Sequence, residues 1–140
     1  MEAARKRLGG RASTAPGAGD LVQVRTRVGL DKPGVILFIG EDEVDIWIAD
    51  DTVLRTTRDR TAPLQGAVPR DIAAVASDAR VFASLGEGQR VRYLQALDDF
   101  ADATLVEKCR YGALLLRDDG TLVGVGFRRV WPALVGTEAN

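Results

Sequence analysis

A chain of 140 residues is long enough for one ordinary domain or two very small ones, and 46% hydrophobic content is enough for the body to fold. The formal charge of −1 gives no whole-chain bias toward nucleic acid or an anionic membrane. Histidine is absent, which removes His-based triads and the commonest general base at neutral pH. The single cysteine, Cys109, cannot form an internal disulfide.

Residues 1–18, MEAARKRLGGRASTAPGA, join small residues and Pro to Arg5, Lys6, Arg7 and Arg11. Such a stretch buries too little apolar surface to offset ordering entropy, so a flexible basic tail is expected. A secretory signal would need an apolar core behind the basic start, and Gly, Ala, Ser and Thr follow instead. The longest apolar run, Val35 to Ile39, is strand-sized, so no membrane span is expected. A cytoplasmic protein is expected. The preference for Arg over Lys points to a GC-rich bacterial source.

From Leu21 to Val28, apolar residues alternate with Gln23, Arg25 and Arg27, the period-two signature of a strand. Gly29 to Lys32 predict a loop and Pro33-Gly34 a turn into a second strand, Val35 to Ile39. Val44, Ile46 and Ile48 alternate with Asp45 and Trp47 in a third. Asp50-Asp51 predict the turn into a fourth, Thr52 to Thr57. Arg58 to Thr61 then suit a helical turn that Pro63 ends.

Within 67–87, Pro69 ahead of Ile72–Ala76 predicts a short helix. Asp78 is placed to cap a second turn through Val81, Phe82 and Leu85, with Gly86 as its stop. From Gly88 the plan repeats: strands around Val91 and Tyr93, at 103–107, 111–117 and 121–126, a loop at Asp98-Asp99-Phe100, and a helical turn at 127–130. Gly120 closes the Asp118-Asp119-Gly120 turn. Residues 135–140 are expected to be a tail.

The two stretches superimpose without a gap. Gly19 lands on Gly88, Val22 on Val91, Asp50 on Asp119, Arg60 on Arg129 and Pro63 on Pro132. Units of this size, present twice, suit two small folded bodies better than a stacked array, which usually needs three or more copies. The fold expected is all-β, with units at 19–66 and 88–134 joined by a short helical linker at 67–87.

The residues Gly88-Gln89-Arg90-Val91, Ala103 to Val106 and Asp119-Gly120, with Gly19-Asp20-Leu21-Val22 and Gly34-Val35-Ile36 in the first copy, make each copy resemble the SH3-like small barrels of the Tudor and KOW group. The resemblance implies tandem barrels and binding rather than catalysis: peptide tails, methylated side chains, nucleic acid or the transcription apparatus. A methyl-ligand cage needs three or four converging aromatics. Phe100 in one copy and Trp47 in the other do not complete one.

The candidate partner-binding residues are Trp47, Phe100, Tyr111, Arg128, Arg129 and Trp131. With Val44, Ile46 and Ile48 turned inward, Trp47 faces out, where Leu114 and Leu116 stand in the second copy. The two outer stripes are therefore expected to pack on each other, with an external partner as the other reading. Arg55, Arg58 and Arg60, with Arg128 and Arg129, are candidate phosphate contacts. No cofactor, metal site, small-molecule substrate or catalytic set is evident. The expected function is a non-enzymatic adaptor engaging a protein partner; the alternative is a KOW-type nucleic-acid or transcription-apparatus binder using the arginine edges and the basic tail.

Overall fold

The computed structural model describes residues 17–48 and 52–134. The expected Asp50-Asp51 turn, the C-terminal tail and all but the end of the N-terminal tail lie outside them. The strands are β1 (Leu21–Arg25), β2 (Asp31–Ile39), β3 (Glu43–Ile48), β4 (Thr52–Thr57) and β5 (Thr61–Pro63), then helix α1 (Arg70–Ser84). Five more follow: β6 (Arg90–Ala96), β7 (Asp99–Lys108), β8 (Gly112–Arg117), β9 (Leu122–Gly126) and β10 (Val130–Pro132). A 3-10 turn precedes each last strand, at Arg58–Arg60 and Phe127–Arg129.

These strands form two antiparallel five-stranded sheets, ordered β4-β3-β2-β1-β5 and β10-β6-β7-β8-β9. Strand order and connections are the same in both. Neither sheet closes on itself into a barrel: β4 pairs with β3 and β5 with β1, not with each other.

The correspondence extends to single hydrogen bonds, at the 69-residue shift that takes Gly19 to Gly88. A bulge at Ile36/Phe38 in the first copy recurs at Leu105/Glu107 in the second. Gly19 N–H donates to the Ile36 carbonyl at 2.7 Å, and Gly88 N–H to Leu105 at 2.7 Å. Arg60 donates to the carbonyls of Arg25 and Thr26, and Arg129 to that of Leu94. The repeat is one of backbone geometry, held by different side chains.

Four local expectations are corrected. β2 begins at Asp31, so Lys32, Pro33 and Gly34 belong to a strand rather than a loop and turn; they pair with Val24, Gln23 and Val22. In the second copy Leu97-Asp98 make the turn, with Asp98 at φ 59, a conformation Asp tolerates, and Phe100 moves from the loop onto β7. The linker helix is continuous. Its apolar positions Ile72, Val75, Ala76, Ala79 and Phe82 keep one stripe past Asp78, which therefore lies mid-helix instead of capping a new turn. Nor does Gly86 stop the helix with a left-handed cap. Lys108 Nζ reaches across and donates to the carbonyls of Phe82, Ala83 and Leu85 at 2.9, 3.3 and 3.0 Å. The Asp118-Asp119-Gly120 turn forms with Gly120 at φ 90.

Two hydrophobic clusters hold the molecule. Val22, Val24, Ile36, Val44 and Ile46 make the inner core of the first sheet. The larger cluster joins Val35, Leu37 and Trp47, on the opposite face of that sheet, to the α1 stripe and to the inner face of the second sheet, with Tyr93, Leu105 and Leu115 fully buried. Each such aliphatic side chain contributes about 1.5–3 kcal/mol by leaving water. The helix is thus a wedge between the outer face of one copy and the inner face of the other.

Candidate site: the outer face of the second sheet

The two copies treat one face of the sheet differently. In the first, the outer face carries Val35, Leu37 and Trp47, all buried, with Trp47 7% exposed. The corresponding positions in the second copy are Thr104, Val106 and Leu116. There Val106 is 42% and Leu116 38% exposed, and Leu122, paired with Leu116 across β8 and β9, is 57% exposed. The expected packing of both outer stripes on each other is therefore corrected: α1 covers the Trp47 stripe and leaves that of Leu116 facing solvent. One helix cannot cover both faces, because its second side is taken by Phe127, Val130 and the inner face of the second sheet.

The same exposed face carries an aromatic group at its other end. Phe100 on β7 and Trp131 on β10 meet at 5.7 Å between ring centroids, and the Arg92 guanidinium on β6 lies 5.1 Å from the Phe100 centroid. Strand pairing fixes the arrangement, since Arg92 stands opposite Trp131 and Leu94 opposite Phe100. Period-two alternation turns all of these side chains away from Val91 and Tyr93 in the core. Two aromatics and an arginine already stacked on one of them do not make a cage for a second cation.

The remaining sequence candidates are engaged elsewhere. Arg128 Nε donates to Asp78 on α1 at 2.8 Å. Arg60 clamps the carbonyls of Arg25 and Thr26 at the end of its copy's first strand, and Arg129 clamps that of Leu94 on the first strand of the second. Arg58 Nη2 lies 3.4 Å from the Gly40 carbonyl. Arg55 and Tyr111 both serve Asp45, which the sequence reading missed as a buried group.

Asp45, 1% exposed, lies on the outer face of the first sheet beside the second copy's β7–β8 turn. It accepts hydrogen bonds from Arg55 Nε at 2.8 Å, from Arg110 Nη1 at 3.1 Å and from the Tyr111 hydroxyl. Burial by itself opposes ionisation, but the bonds from Arg55, Tyr111 and Arg110 together outweigh it and hold the carboxyl below the usual range. Burial and the adjacent carboxylate push the Tyr111 phenol up, and burial draws Lys108 down. Arg110 also stacks on Phe38, 4.2 Å from its centroid. This network ties the two copies together.

A cleft of about 500 Å³ lies beside it, lined by Leu37, Phe38, Ala79, Phe82, Lys108 and Phe127 among others. Its Lys108 ammonium is already bound to the helix carbonyls. Among the described residues no group of three or more His, Cys, Asp or Glu side chains is placed to hold a metal ion, and no helix is long and apolar enough to cross a membrane.

No protein-family model matches the chain, and no curated protein is significantly similar to it.

Proposed function

We infer that the chain is a non-enzymatic, cytoplasmic adaptor of two tandem SH3-like units, and that it engages a protein partner through the outer face of the second sheet. A single observation carries this reading: the repeat buries that face in one copy and exposes it in the other, with Val106, Leu116 and Leu122 at one end and Phe100 and Trp131 at the other. Exposed aliphatics that line up with an aromatic pair and an arginine have the make-up of an interface core. The shared strand order and hydrogen-bond register of the copies support the SH3-like reading. Protein is favoured over nucleic acid because Arg60, Arg128 and Arg129 are each held by a carbonyl or carboxylate of this chain.

Capture from the source organism, with and without nuclease and across a salt series, tests it. A discrete protein retained after nuclease, weakly dependent on salt and lost with Phe100→Ala or Leu116→Asp, is the expected result. Retention that collapses with nuclease and falls steeply with salt would replace the reading with a nucleic-acid one.

A further inference from the structure

The first copy shows what kind of element this sheet face accepts. α1 packs against it, its stripe of Ile72, Val75, Ala76, Ala79 and Phe82 buried in one cluster with Val35, Leu37 and Trp47, and its backbone comes so close at Gly19 that a Cβ there would stand 2.3 Å from Arg80 Cγ and 3.3 Å from the Ala76 carbonyl oxygen. The seat therefore has two parts: a row of apolar side chains on β2 and β3, and a glycine notch that admits helix backbone.

Both parts recur in the second copy. Gly88 adopts φ +89, against +92 at Gly19, and a Cβ on Gly88 would meet nothing within 4 Å. Val106 and Leu116 hold the positions of Leu37 and Trp47 and stand exposed, with Leu122 extending the row on β9. The backbone under the two seats shares its bulge, its register and its glycine hydrogen bond.

We propose that the second sheet's outer face docks an amphipathic helix from another protein, seated over Gly88, Val106 and Leu116 as α1 is seated over Gly19, Leu37 and Trp47. This rests on the reading that this face is the docking surface, and it adds the occupant. The partner helix carries apolar residues at i, i+3, i+4 and i+7, as α1 does, with alanine or glycine where it crosses the Gly88 notch. Leu116 is smaller than the Trp47 it replaces, so the incoming stripe has room for larger aliphatics than the alanines of α1. An extended peptide would be recruited differently, by pairing with an edge strand, and would not need this row.

The test is a displayed library of random peptides of about fifteen residues, the length of α1, selected on the 140-residue chain and counter-selected on Leu116→Asp. Enriched peptides are expected to share the helical apolar spacing, to gain helical circular dichroism on binding, and to bind at least about thirtyfold more weakly to Val106→Asp or Leu122→Asp, the size of a hot-spot loss. Leu122 is the most exposed of the three, so its variant retains the fold if Leu116→Asp does not. Peptides with apolar residues at every second position, peptides indifferent to these substitutions, or no enrichment at all would overturn the proposal. If capture of a protein partner still depends on Leu116 while the peptides are strand-like, the docking face stands and the helical occupant falls. If neither depends on Leu116, both fall.

Discussion

Replacing Asp45 by Asn removes the buried charge that links the two copies while keeping the side chain's shape. Hydrogen bonds to a charged group are worth about 1.5–3 kcal/mol each. Three side chains donate to Asp45, but the Arg55 and Arg110 side chains are 51% and 46% exposed and regain water when the carboxylate is gone. The net loss for Asp45→Asn is therefore about 2 kcal/mol at pH 7, or a melting temperature lower by about 4–8 °C for a chain of this size. The pH dependence carries the sharper test. The folded carboxyl lies below its ordinary value of 3.8, so its contribution is present above that value and is lost as pH falls through the folded one. Urea unfolding followed by tryptophan fluorescence should show the native protein and the variant separated at pH 7 and converging as the pH is lowered below 3.8. Equal stability at pH 7, or a gap that persists unchanged in acid, would refute the role assigned to the network.

Other substitutions probe the repeat. Trp47→Ala should cost about 3–5 kcal/mol in urea unfolding, because the indole fills the junction of sheet and helix; a loss below about 1 kcal/mol would place it outside the core. Gly19→Ala and Gly88→Ala both force a side chain into the left-handed region, at about 1–3 kcal/mol, but only Gly19 also collides with α1. Thermal melts should therefore rank Gly19→Ala clearly below Gly88→Ala, and equal melts would contradict the helix seat. Arg60→Ala and Arg129→Ala remove matching carbonyl clamps and should each cost about 1 kcal/mol. A change in only one of them would break the claimed equivalence of the copies.

Much of this was legible in the sequence because it rests on local periodicity. Alternation at Val44, Ile46 and Ile48 placed both the strand and the outward side of Trp47, and Gly120 marked its turn. The gapless match of the copies carried the shared strand order, since residues that align also hydrogen-bond alike. What could not be read depends on contacts across the chain. Asp45 sits in a polar-apolar alternation that looks like a solvated strand face, and its burial depends on Arg110 and Tyr111, 65 and 66 residues away. The end of α1 likewise depends on Lys108, which no local cap signal reveals. Nor does periodicity tell which of two similar faces a single helix will cover. The 69-residue shift offered a usable signal: Trp47 aligns with Leu116 and Asp45 with Leu114, so the copies had to differ in what lies against them. Nor does periodicity show that Arg60 and Arg129 bond backbone carbonyls of their own copies, because a guanidinium near a strand end satisfies its own backbone as readily as a phosphate.

A photo-crosslinking amino acid placed at Leu116 in the source organism tests the central claim most directly, with the same group at Arg58, in the 3-10 turn of the first copy, as the control. The account predicts a discrete protein adduct at position 116, absent at position 58 and lost when Val106→Asp is added. Adducts of equal yield at both positions, adducts to nucleic acid alone, or none at position 116 would contradict it.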